Sequence, residues 1–490
     1  MTKQEILRQA EKVIGEGPYT DTWESLSGYT PPRWYQDAKF GIFIHWGVYS
    51  VPAFGSEWYP RNMYKKGTPE FEHHLAVYGG HKQFGYKDFI PLFKGEKFDP
   101  RQWARLFREA GARYIMPVAE HHDGFQMYAS DLSRWNAAVM GPKRDVLGEL
   151  KTCAEEEGLV FCVSNHRAEH CWFFNRGREF DSDINDPVNE EFYSKQQDGG
   201  EEVSHDVYSV PPNPGHCEDW LARACELVDK YRPGIVWFDW WIHNTGWKPW
   251  LKKFAAYYYN RAAQWGAEVA INYKYNAFVY GSAVLDIERG QLAEISPRFW
   301  QTDTAVAKNS WGYTENNEFK KPEDLVCDLV DIVSKNGALL LNVGPRADGT
   351  ITEEDRERLL AIGRWLTKNG EGIYGSTYWR RSGEGPTRVN EGAFTDTDRS
   401  PFTSRDFRFT VKRDILYAFV MKFPPDGSIR IPSLGRWSGK TGNGDFDILS
   451  VRLLGYDNPL RFSRDQEALF VQVEGRIDTG YPVGLAIQLN

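Results

Sequence analysis

The chain has 490 residues, of which 41% are hydrophobic, so it can fill a sizeable core and is not globally disordered. Its net charge of −9, without a long run of one sign, argues against binding to nucleic acid or to an anionic membrane. The 19 Trp, 25 Tyr and 29 Phe fit sugar binding and the core of a β-rich protein equally well.

The N-terminus and the cysteines bear on the cellular compartment. Residues 1–5 lack the apolar run of a signal peptide, and no apolar stretch reaches bilayer length. The six cysteines show neither C-x-x-C nor zinc-ligand spacing, which favours reduced thiols. We therefore predict a cytoplasmic protein without membrane contact, and a secreted precursor trimmed at its N-terminus is the alternative.

Eight short runs of β-branched or aromatic residues predict strands. Most are apolar on successive residues, as is typical of parallel strands that are covered on both faces. The predicted strands are Phe40–Trp46, Tyr114–Ala119, Leu159–Ser164, Ile235–Asp239, Val269–Asn272, Ala283–Ile287, Phe299–Thr302 and Ala338–Val343.

Amphipathic patterns between these runs predict helices. One spans Leu221–Tyr231, a second begins at Pro322 and ends at Asn336-Gly337, and a third covers Glu353–Lys368. Strands that alternate with helices predict an α/β fold, a (β/α)8-type catalytic barrel over residues 1–374 with irregular or missing helices in places.

The sequence changes character near residue 375. Gly, Pro, Asn and Asp separate alternating strands such as Phe407–Lys412 and Ile415–Met421, and no helical pattern remains. We predict a C-terminal β-sandwich domain over residues 375–490, packed against the barrel because no flexible linker precedes it.

Polar side chains follow most of the predicted barrel strands. In a (β/α)8 barrel the active site lies at the carboxyl ends of the strands, so these side chains are expected to meet. A single polar strand end is usually a cap or part of a buried network, whereas six at one rim favour a pocket. The six are His45, the run Glu120–Asp123, the run Ser164–His166 with His170, Asp239, the run Asn272–Lys274, and the run Asp286–Arg289.

Four histidines, His45, His121, His122 and His166, allow two interpretations. Together they are a candidate metal site, although adjacent histidines diverge on a strand. They are also suitable hydrogen-bonding partners for sugar hydroxyls. We favour the second interpretation and expect neither a metal nor another cofactor.

Asp239 follows an apolar strand and lies between tryptophans. A carboxylate there is either an ion-paired rim residue or a nucleophile in a site that excludes water. If Asp239 is the nucleophile of a site that cleaves glycosides, that site needs a second carboxyl that protonates the leaving oxygen. Glu288, at another strand end, is our first choice, and its rivals are Glu57, Asp286, Glu294 and Asp303.

Six segments span most of residues 34–375 and carry a family resemblance. They are Trp34–Gly47, Ser56–Tyr59, His121–Phe125, Trp237–Asp239, Ser310–Tyr313 and Leu341–Gly349. Together they resemble the α-L-fucosidases of glycoside hydrolase family twenty-nine. The C-terminal region is similar to the β-sandwich of that family only in general character.

The resemblance implies an exo-acting retaining α-L-fucosidase that hydrolyses terminal α-L-fucose from glycans or glycoconjugates. By that resemblance Asp239 attacks the anomeric carbon and forms a covalent fucosyl-enzyme, while a glutamic acid serves as acid and then as base. The substrate-binding residues that the family implies are His45, Glu57, Trp58, His121, His122 and Trp237. The implied partner is a fucosylated glycan or glycoside, and homo-oligomer formation stays open.

The sequence departs from the family pattern at three places. Lys274 stands where many members carry arginine, so it is expected to contact the substrate and to supply the charge without the fork geometry. The third strand lacks the common Tyr-Tyr-Ser, so His166 or His170 is expected to replace a tyrosine contact. Gln301 replaces a common glutamate, which favours Glu288 as the acid/base.

Two other functions stay open at this point. The first is a related retaining glycosidase or transglycosylase with another sugar specificity, such as an α-L-galactosidase. The second is a carbohydrate-binding protein that has lost catalysis, although Asp239 within its aromatic frame argues against it.

Overall fold

A closed parallel sheet surrounds the core of the N-terminal region. The computed structural model describes residues 1–198, 210–436, 446–474 and 480–490. The strands of this sheet are β1 (Phe40–Ile44), β2 (Tyr114–Glu120), β3 (Val160–Phe161), β4 (Val163–Asn165), β5 (Ile235–Phe238), β6 (Ala270–Tyr273), β7 (Val284–Glu288), β8 (Trp300–Ala305) and β9 (Gly337–Val343).

The sheet closes into a barrel because β1 pairs in parallel with both β2 and β9. β3 and β4 are two halves of one barrel strand, since both pair with β2 on either side of Cys162. The barrel therefore has eight strands, and each lies where the sequence predicts one. The predicted barrel fold is confirmed.

Helices surround this barrel unevenly. Residues 274–283 and 289–299, which join β6 to β7 and β7 to β8, contain no helix, in keeping with the expectation of missing helices. The α-helices are α1 (Lys3–Glu16), α2 (Trp23–Leu26), α3 (Arg33–Ala38), α4 (Tyr59–Asn62), α5 (Pro69–Val77), α6 (Pro100–Glu109), α7 (Val146–Glu156), α8 (His170–Phe173), α9 (Glu190–Tyr193), α10 (Pro214–Tyr231), α11 (Lys248–Trp265), α12 (Pro322–Ser334) and α13 (Glu353–Asn369).

Local sequence explains where the long helices begin and end. The side chain of Asn213 caps α10 by accepting a hydrogen bond from the His216 amide, and Arg232 ends the helix in the left-handed region. The side chain of Thr352 caps α13 in the same way. The apolar stripe predicted for α12 is buried against the barrel.

Two antiparallel sheets follow the last barrel helix. Their strands are β10 (Thr377–Glu384), β11 (Phe407–Lys412), β12 (Ile415–Val420), β13 (Ser428–Ile431), β14 (Ile448–Leu453), β15 (Arg461–Arg464), β16 (Leu469–Gln472) and β17 (Val483–Leu489). One sheet has the order β10-β11-β12-β17-β14 and the other β13-β16-β15. Both contribute side chains to a second hydrophobic core, so the predicted β-sandwich is confirmed.

The two regions are packed against each other. Tyr417 and Phe419 of β12 belong to the hydrophobic core of the barrel, and the Trp365 indole of α13 donates a hydrogen bond to the Pro482 carbonyl at 2.7 Å. Residues 390–399, which we call the strap, leave the second region and run along the barrel rim. In the part of the chain that the structure describes, every helix falls short of the length and apolarity that crossing a membrane requires.

Candidate active site

A cavity of about 360 Å³ opens at the carboxyl ends of the barrel strands, within the size range of small-molecule sites. Aromatic rings, histidines and carboxylates form its wall. The lining residues are His45, Glu57, Trp58, His121, His122, His166, Trp237, Asp239, Trp240, Tyr275, Glu288, Asp303, Trp311 and Phe394. All of the predicted site residues except Lys274 are among them, and their individual roles stay predictions.

Asp239 lies directly after β5, where four apolar residues hold the strand in the barrel wall. One carboxylate oxygen accepts the backbone N–H of Trp240 at 2.7 Å. The other lies 3.0 Å from Nδ1 of His166 and 3.4 Å from Nε2 of His122. Burial alone raises the pKa of this carboxyl, but the hydrogen bond to His166 and the nearby positive charges hold it well below its usual range.

His166 is arranged to donate a proton to Asp239. Its Nε2 lies 2.9 Å from the hydroxyl of Ser164, while its Nδ1 faces Asp239. Burial lowers the pKa of His166, so a neutral ring with the proton on Nδ1 satisfies both contacts. The predicted alternative, His170, lies outside the cavity wall and bonds to the carbonyls of His122 and Phe192.

His122 is the charged histidine of the group. Its Nδ1 lies 3.2 Å from the buried carboxylate of Glu169, whose other oxygen accepts the Trp241 amide at 3.1 Å. Burial lowers the pKa of His122, but the charge and hydrogen bond of Glu169, the charge of Asp239 and the hydrogen bond to the His166 carbonyl together outweigh it and raise the pKa to about 9. A cation next to Asp239 therefore persists at neutral pH. No sequence signal singled out Glu169, because its pairing with His122 depends on how distant parts of the chain fold together.

His45 and His121 are neutral in contrast. Nδ1 of His45 lies 2.7 Å from the amide oxygen of Asn342, which fixes the ring. Burial and the surrounding histidines lower the pKa of His45 and of His121 well below the usual value. Neutral imidazoles both donate and accept hydrogen bonds, which suits them to hydroxyl groups.

Three of these histidines also lie close enough together to be candidate metal ligands. Ring nitrogens of His45, His121 and His166 lie within 4.8 Å of one another. Both nitrogens of His166 are engaged, one by Asp239 and one by Ser164, so coordination would break one of these bonds. These two hydrogen bonds of His166, rather than the type of donor, are what argue for sugar binding over metal binding.

Glu288 ends β7 and faces the cavity. Burial and the charges of Asp239 and Asp286 raise its pKa to about 7, although Lys274 acts in the opposite direction. Asp239 and Glu288 therefore line the same cavity, and the pKa of Asp239 is lowered while that of Glu288 is raised. This difference separates a carboxylate from a carboxylic acid near neutral pH.

Lys274 lies behind the wall, contrary to its predicted contact with substrate. Only 2% of its side chain is exposed, and its Nζ donates to Asp286 at 2.7 Å and to Asp303 at 2.6 Å. Nζ is also 3.8 Å from Glu288 and 5.0 Å from the centre of the Trp237 ring. The Lys274 ammonium thus influences the charge states of the site's carboxyls from behind the cavity wall, without lining the cavity.

The rival carboxyls differ in their surroundings. Glu57 lines the cavity, but one of its oxygens accepts from the Ser310 hydroxyl at 3.1 Å and the Trp311 amide at 2.9 Å. Asp303 also lines the cavity and bonds to Lys274, while burial and Asp286 raise its pKa well above the usual range. Glu294 is exposed and lines a different cleft.

Four aromatic wall residues were not among the predicted site residues. Trp240 and Trp311 stood within or beside recognised segments, so their motifs were a usable signal. Tyr275 lies in a connection without a helix, and Phe394 belongs to the strap. Phe394 is remote in sequence from every barrel strand, and no local pattern marks it.

Comparisons with known proteins find α-L-fucosidases. A sequence model described as "Alpha-L-fucosidase" matches residues 6–371, and one described as "Alpha-L-fucosidase C-terminal domain" matches residues 400–489. The human tissue α-L-fucosidase is 30% identical, with 96% of this chain and 91% of that protein covered. The human plasma α-L-fucosidase is 31% identical, with 93% and 88% covered.

Solved structures agree with this. An α-fucosidase of Thermotoga maritima, in complex with a mechanism-based inhibitor, superposes with a TM-score of 0.75 at 30% identity. The alignment covers 96% of this chain and 100% of that one.

Proposed function

Because the chain belongs to the α-L-fucosidase family and is a glycoside hydrolase, we propose that it removes terminal α-L-fucose from glycans by exo-acting, retaining double displacement. The observation that carries this proposal is the pair Asp239 and Glu288 in one cavity. The pKa of the first is held low and that of the second is raised to about 7. A retaining glycosidase needs one ionised and one protonated carboxyl in this arrangement.

In the first half-reaction, a carboxylate oxygen of Asp239 forms a bond to C1 of fucose while the bond from C1 to the leaving oxygen breaks. Glu288 gives its proton to that oxygen. The hydrogen bonds to Asp239 from His166 and from the Trp240 amide hold the carboxylate in place and keep it ionised.

In the second half-reaction, water attacks C1 and the ester bond to Asp239 breaks. Glu288 now accepts the proton from this water, so one residue serves both steps. The charges on His122 and Lys274 stabilise the departing carboxylate of Asp239, because both groups lower its pKa.

The remaining wall residues suit recognition of the sugar. His45 and His121 are neutral and offer hydrogen bonds to hydroxyl groups, while Trp58 and Trp237 offer apolar faces to C–H groups and to the C5 methyl. An apolar slot favours fucose over a sugar with a hydroxymethyl group only modestly. A panel of aryl glycosides therefore tests the sugar, and preference for an α-L-galactoside would reject the assignment to fucose.

The proposal is tested by identifying the nucleophile and the acid/base separately. The wild type is expected to release 4-nitrophenol from 4-nitrophenyl α-L-fucoside, and Asp239→Gly to lose about 10³-fold or more of that activity. Azide is expected to attack the intact substrate in Asp239→Gly and to give the β-fucosyl azide. In Glu288→Ala it is expected to attack the fucosyl-enzyme and to give the α-fucosyl azide.

Two controls complete this experiment. Glu294→Ala removes a rival carboxyl that is exposed on another cleft, and it is expected to behave like the wild type. Labelling with 2-fluoro-fucosyl fluoride, followed by peptide mapping, should place the sugar on Asp239. A label on another residue, or a first product with inverted configuration, contradicts the mechanism.

A further inference from the structure

Two exposed aromatic side chains stand at the mouth of the cavity. Tyr275 is 41% and Phe394 is 59% exposed, and both line the wall. The deeper aromatic wall residue Trp237 is almost fully buried. Tyr275 packs edge-on against His243, with 5.4 Å between ring centroids, and both rings leave apolar surface at the mouth that a bound molecule can cover.

The backbone at this rim is unusual. Tyr275, Arg289 and Phe394 all adopt positive φ, at 55°, 45° and 57°, which bulky residues rarely do. Such conformations persist only where the surroundings impose them, and they concentrate at binding and catalytic sites. The positive φ of Tyr275 and Phe394 therefore indicates that the surrounding structure holds the backbone beneath both rings.

Hydrogen bonds to the barrel impose the conformation of Phe394. Its amide donates to the carbonyl of Glu288 at 2.9 Å, and the amides of Thr395 and Asp396 donate to the carbonyl of Arg289 at 2.8 and 2.9 Å. The strap is thus attached to the backbone of the proposed acid/base and its neighbour. The backbone of Phe394 is thereby fixed relative to that of Glu288.

An ion cluster anchors the strap further along. One carboxylate oxygen of Asp396 accepts from the Thr304 hydroxyl at 2.6 Å and from the Lys320 ammonium, and it lies 3.5 Å from the Arg289 guanidinium. These partners belong to the barrel. A residue whose backbone is held in this way loses little backbone freedom when a ligand packs on its side chain.

The chemistry of the proposed reaction indicates which part of the substrate lies next to these two rings. The leaving oxygen must lie within hydrogen-bonding distance of Glu288, so the leaving group is on the Glu288 side of the cavity. The Phe394 amide donates a hydrogen bond to the Glu288 carbonyl. Tyr275 follows Lys274 in the chain, and the Lys274 Nζ is 3.8 Å from the Glu288 carboxylate. The fucose itself lies deeper, near Asp239 and the histidines.

We infer that Tyr275 and Phe394 form the subsite for the leaving group, in which the ring next to fucose packs against their faces. This inference rests on the proposed function, because it takes the position of the scissile bond from the roles of Asp239 and Glu288. The ligand class is a ring with an apolar face, which is the C–H face of a pyranose or an aryl group.

The subsite predicts a dependence on the leaving group. The variants Phe394→Ala and Tyr275→Ala are each expected to lower kcat/KM by about 5- to 10-fold for a fucosyl-galactose disaccharide and for 4-nitrophenyl α-L-fucoside. For α-L-fucosyl fluoride, whose leaving group has no ring, kcat/KM should stay within about twofold of the wild type, because the lost contacts involve only the leaving group.

Matched variants distinguish packing from a structural effect. Tyr280→Ala removes a ring that is 65% exposed and outside the cavity wall, and it should leave all three substrates unaffected. Phe394→Leu keeps apolar volume without the ring face, so it should fall between Phe394→Ala and the wild type on the disaccharide. Thermal unfolding of each variant reports whether the fold is intact.

The other possible results of these kinetic measurements would overturn either the subsite or the proposed function. Equal losses on the fluoride and on the ring-bearing substrates would overturn the subsite in favour of a distorted active site, and unchanged kinetics on all three would overturn it as well. Failure of the wild type to hydrolyse α-L-fucosyl fluoride would instead reject the proposed function, and this subsite with it.

Discussion

Only 12% of the Asp239 side chain and 15% of the Glu288 side chain are exposed, yet their surroundings push the two carboxyls toward opposite charge states. Asp239 receives hydrogen bonds from His166 and from a backbone amide, and these favour its ionised form. Glu288 lies 3.8 Å from its closest cation, Lys274, which already binds two other carboxylates. Burial therefore dominates at Glu288, and its neutral form is favoured.

This contrast predicts how activity depends on pH. The pKa of Glu288 is raised to about 7, so its acid form is complete well below that pH and is lost above it. The pKa of Asp239 is held low, so the nucleophile stays ionised through the mildly acidic range. We expect kcat/KM for a fucosyl disaccharide to fall as pH rises through about 7.

The measurement is a pH profile of kcat/KM with two substrates. Fluoride departs with little proton assistance, so the alkaline decline should weaken for α-L-fucosyl fluoride. Glu288→Gln has no proton to lose in this range, so the same decline in that variant would assign the ionisation to another group.

At the scale of elements, the strap joins the second region to the catalytic rim. It carries Phe394 into the cavity wall, and Asp396 holds it to the barrel through Thr304 and Lys320. Because Asp396 is almost buried, its charge is only weakly screened by solvent. The element therefore contributes to stability and to the shape of the site at once.

Asp396→Asn tests this dual contribution. The variant keeps the side-chain size but leaves Lys320 without its buried counter-ion, so we expect the free energy of unfolding to fall by about 3 kcal/mol. We also expect a larger loss of kcat/KM on the disaccharide than on α-L-fucosyl fluoride. Chemical denaturation and the ratio of the two kcat/KM values measure these effects.

Glu391→Gln, on an exposed part of the same strap, is the matched control and should change neither quantity appreciably. A destabilised Asp396→Asn that keeps the wild-type ratio would mean that the strap is only a structural tie.

Across the whole molecule, a buried ion pair and apolar packing connect the two regions. The carboxylate of Asp331 in α12 binds Lys335 and also Arg408 of β11, and only 1% of its side chain is exposed. Burial raises the pKa of Asp331, but the two cations outweigh it and the net displacement is downward. The stabilisation is therefore present above the pKa of the unfolded chain and is lost as pH falls below it.

We expect Asp331→Asn to lower the free energy of unfolding by about 3–5 kcal/mol, because two buried cations lose their shared partner. Unfolding in denaturant should remain a single transition, since side chains of β12 belong to the barrel core. Asp37→Asn breaks a salt bridge to the exposed Arg33 and should cost at most about 1 kcal/mol. Two separate transitions in the wild type would refute this coupling.

The sequence by itself determined the architecture and most of the cavity wall. Runs of apolar residues mark the barrel strands, and the polar residue after each run must reach the same rim once the sheet closes. Asp239, Glu288 and the histidines were identified in this way, because a strand end is a local feature. The family resemblance added Trp58 and gave Glu57, until then only a rival acid/base, a role in substrate binding; both lie outside the barrel strands.

Only the tertiary structure decided contacts between distant parts of the chain. It placed Lys274 beneath the cavity, where Asp286 and Asp303 bind its ammonium, and it placed Glu169 next to His122. It also brought Phe394 to the rim beside Glu288, although 106 positions separate them in the sequence (394 minus 288). Such pairings depend on barrel closure and on the packing of the second region, which local periodicity does not encode.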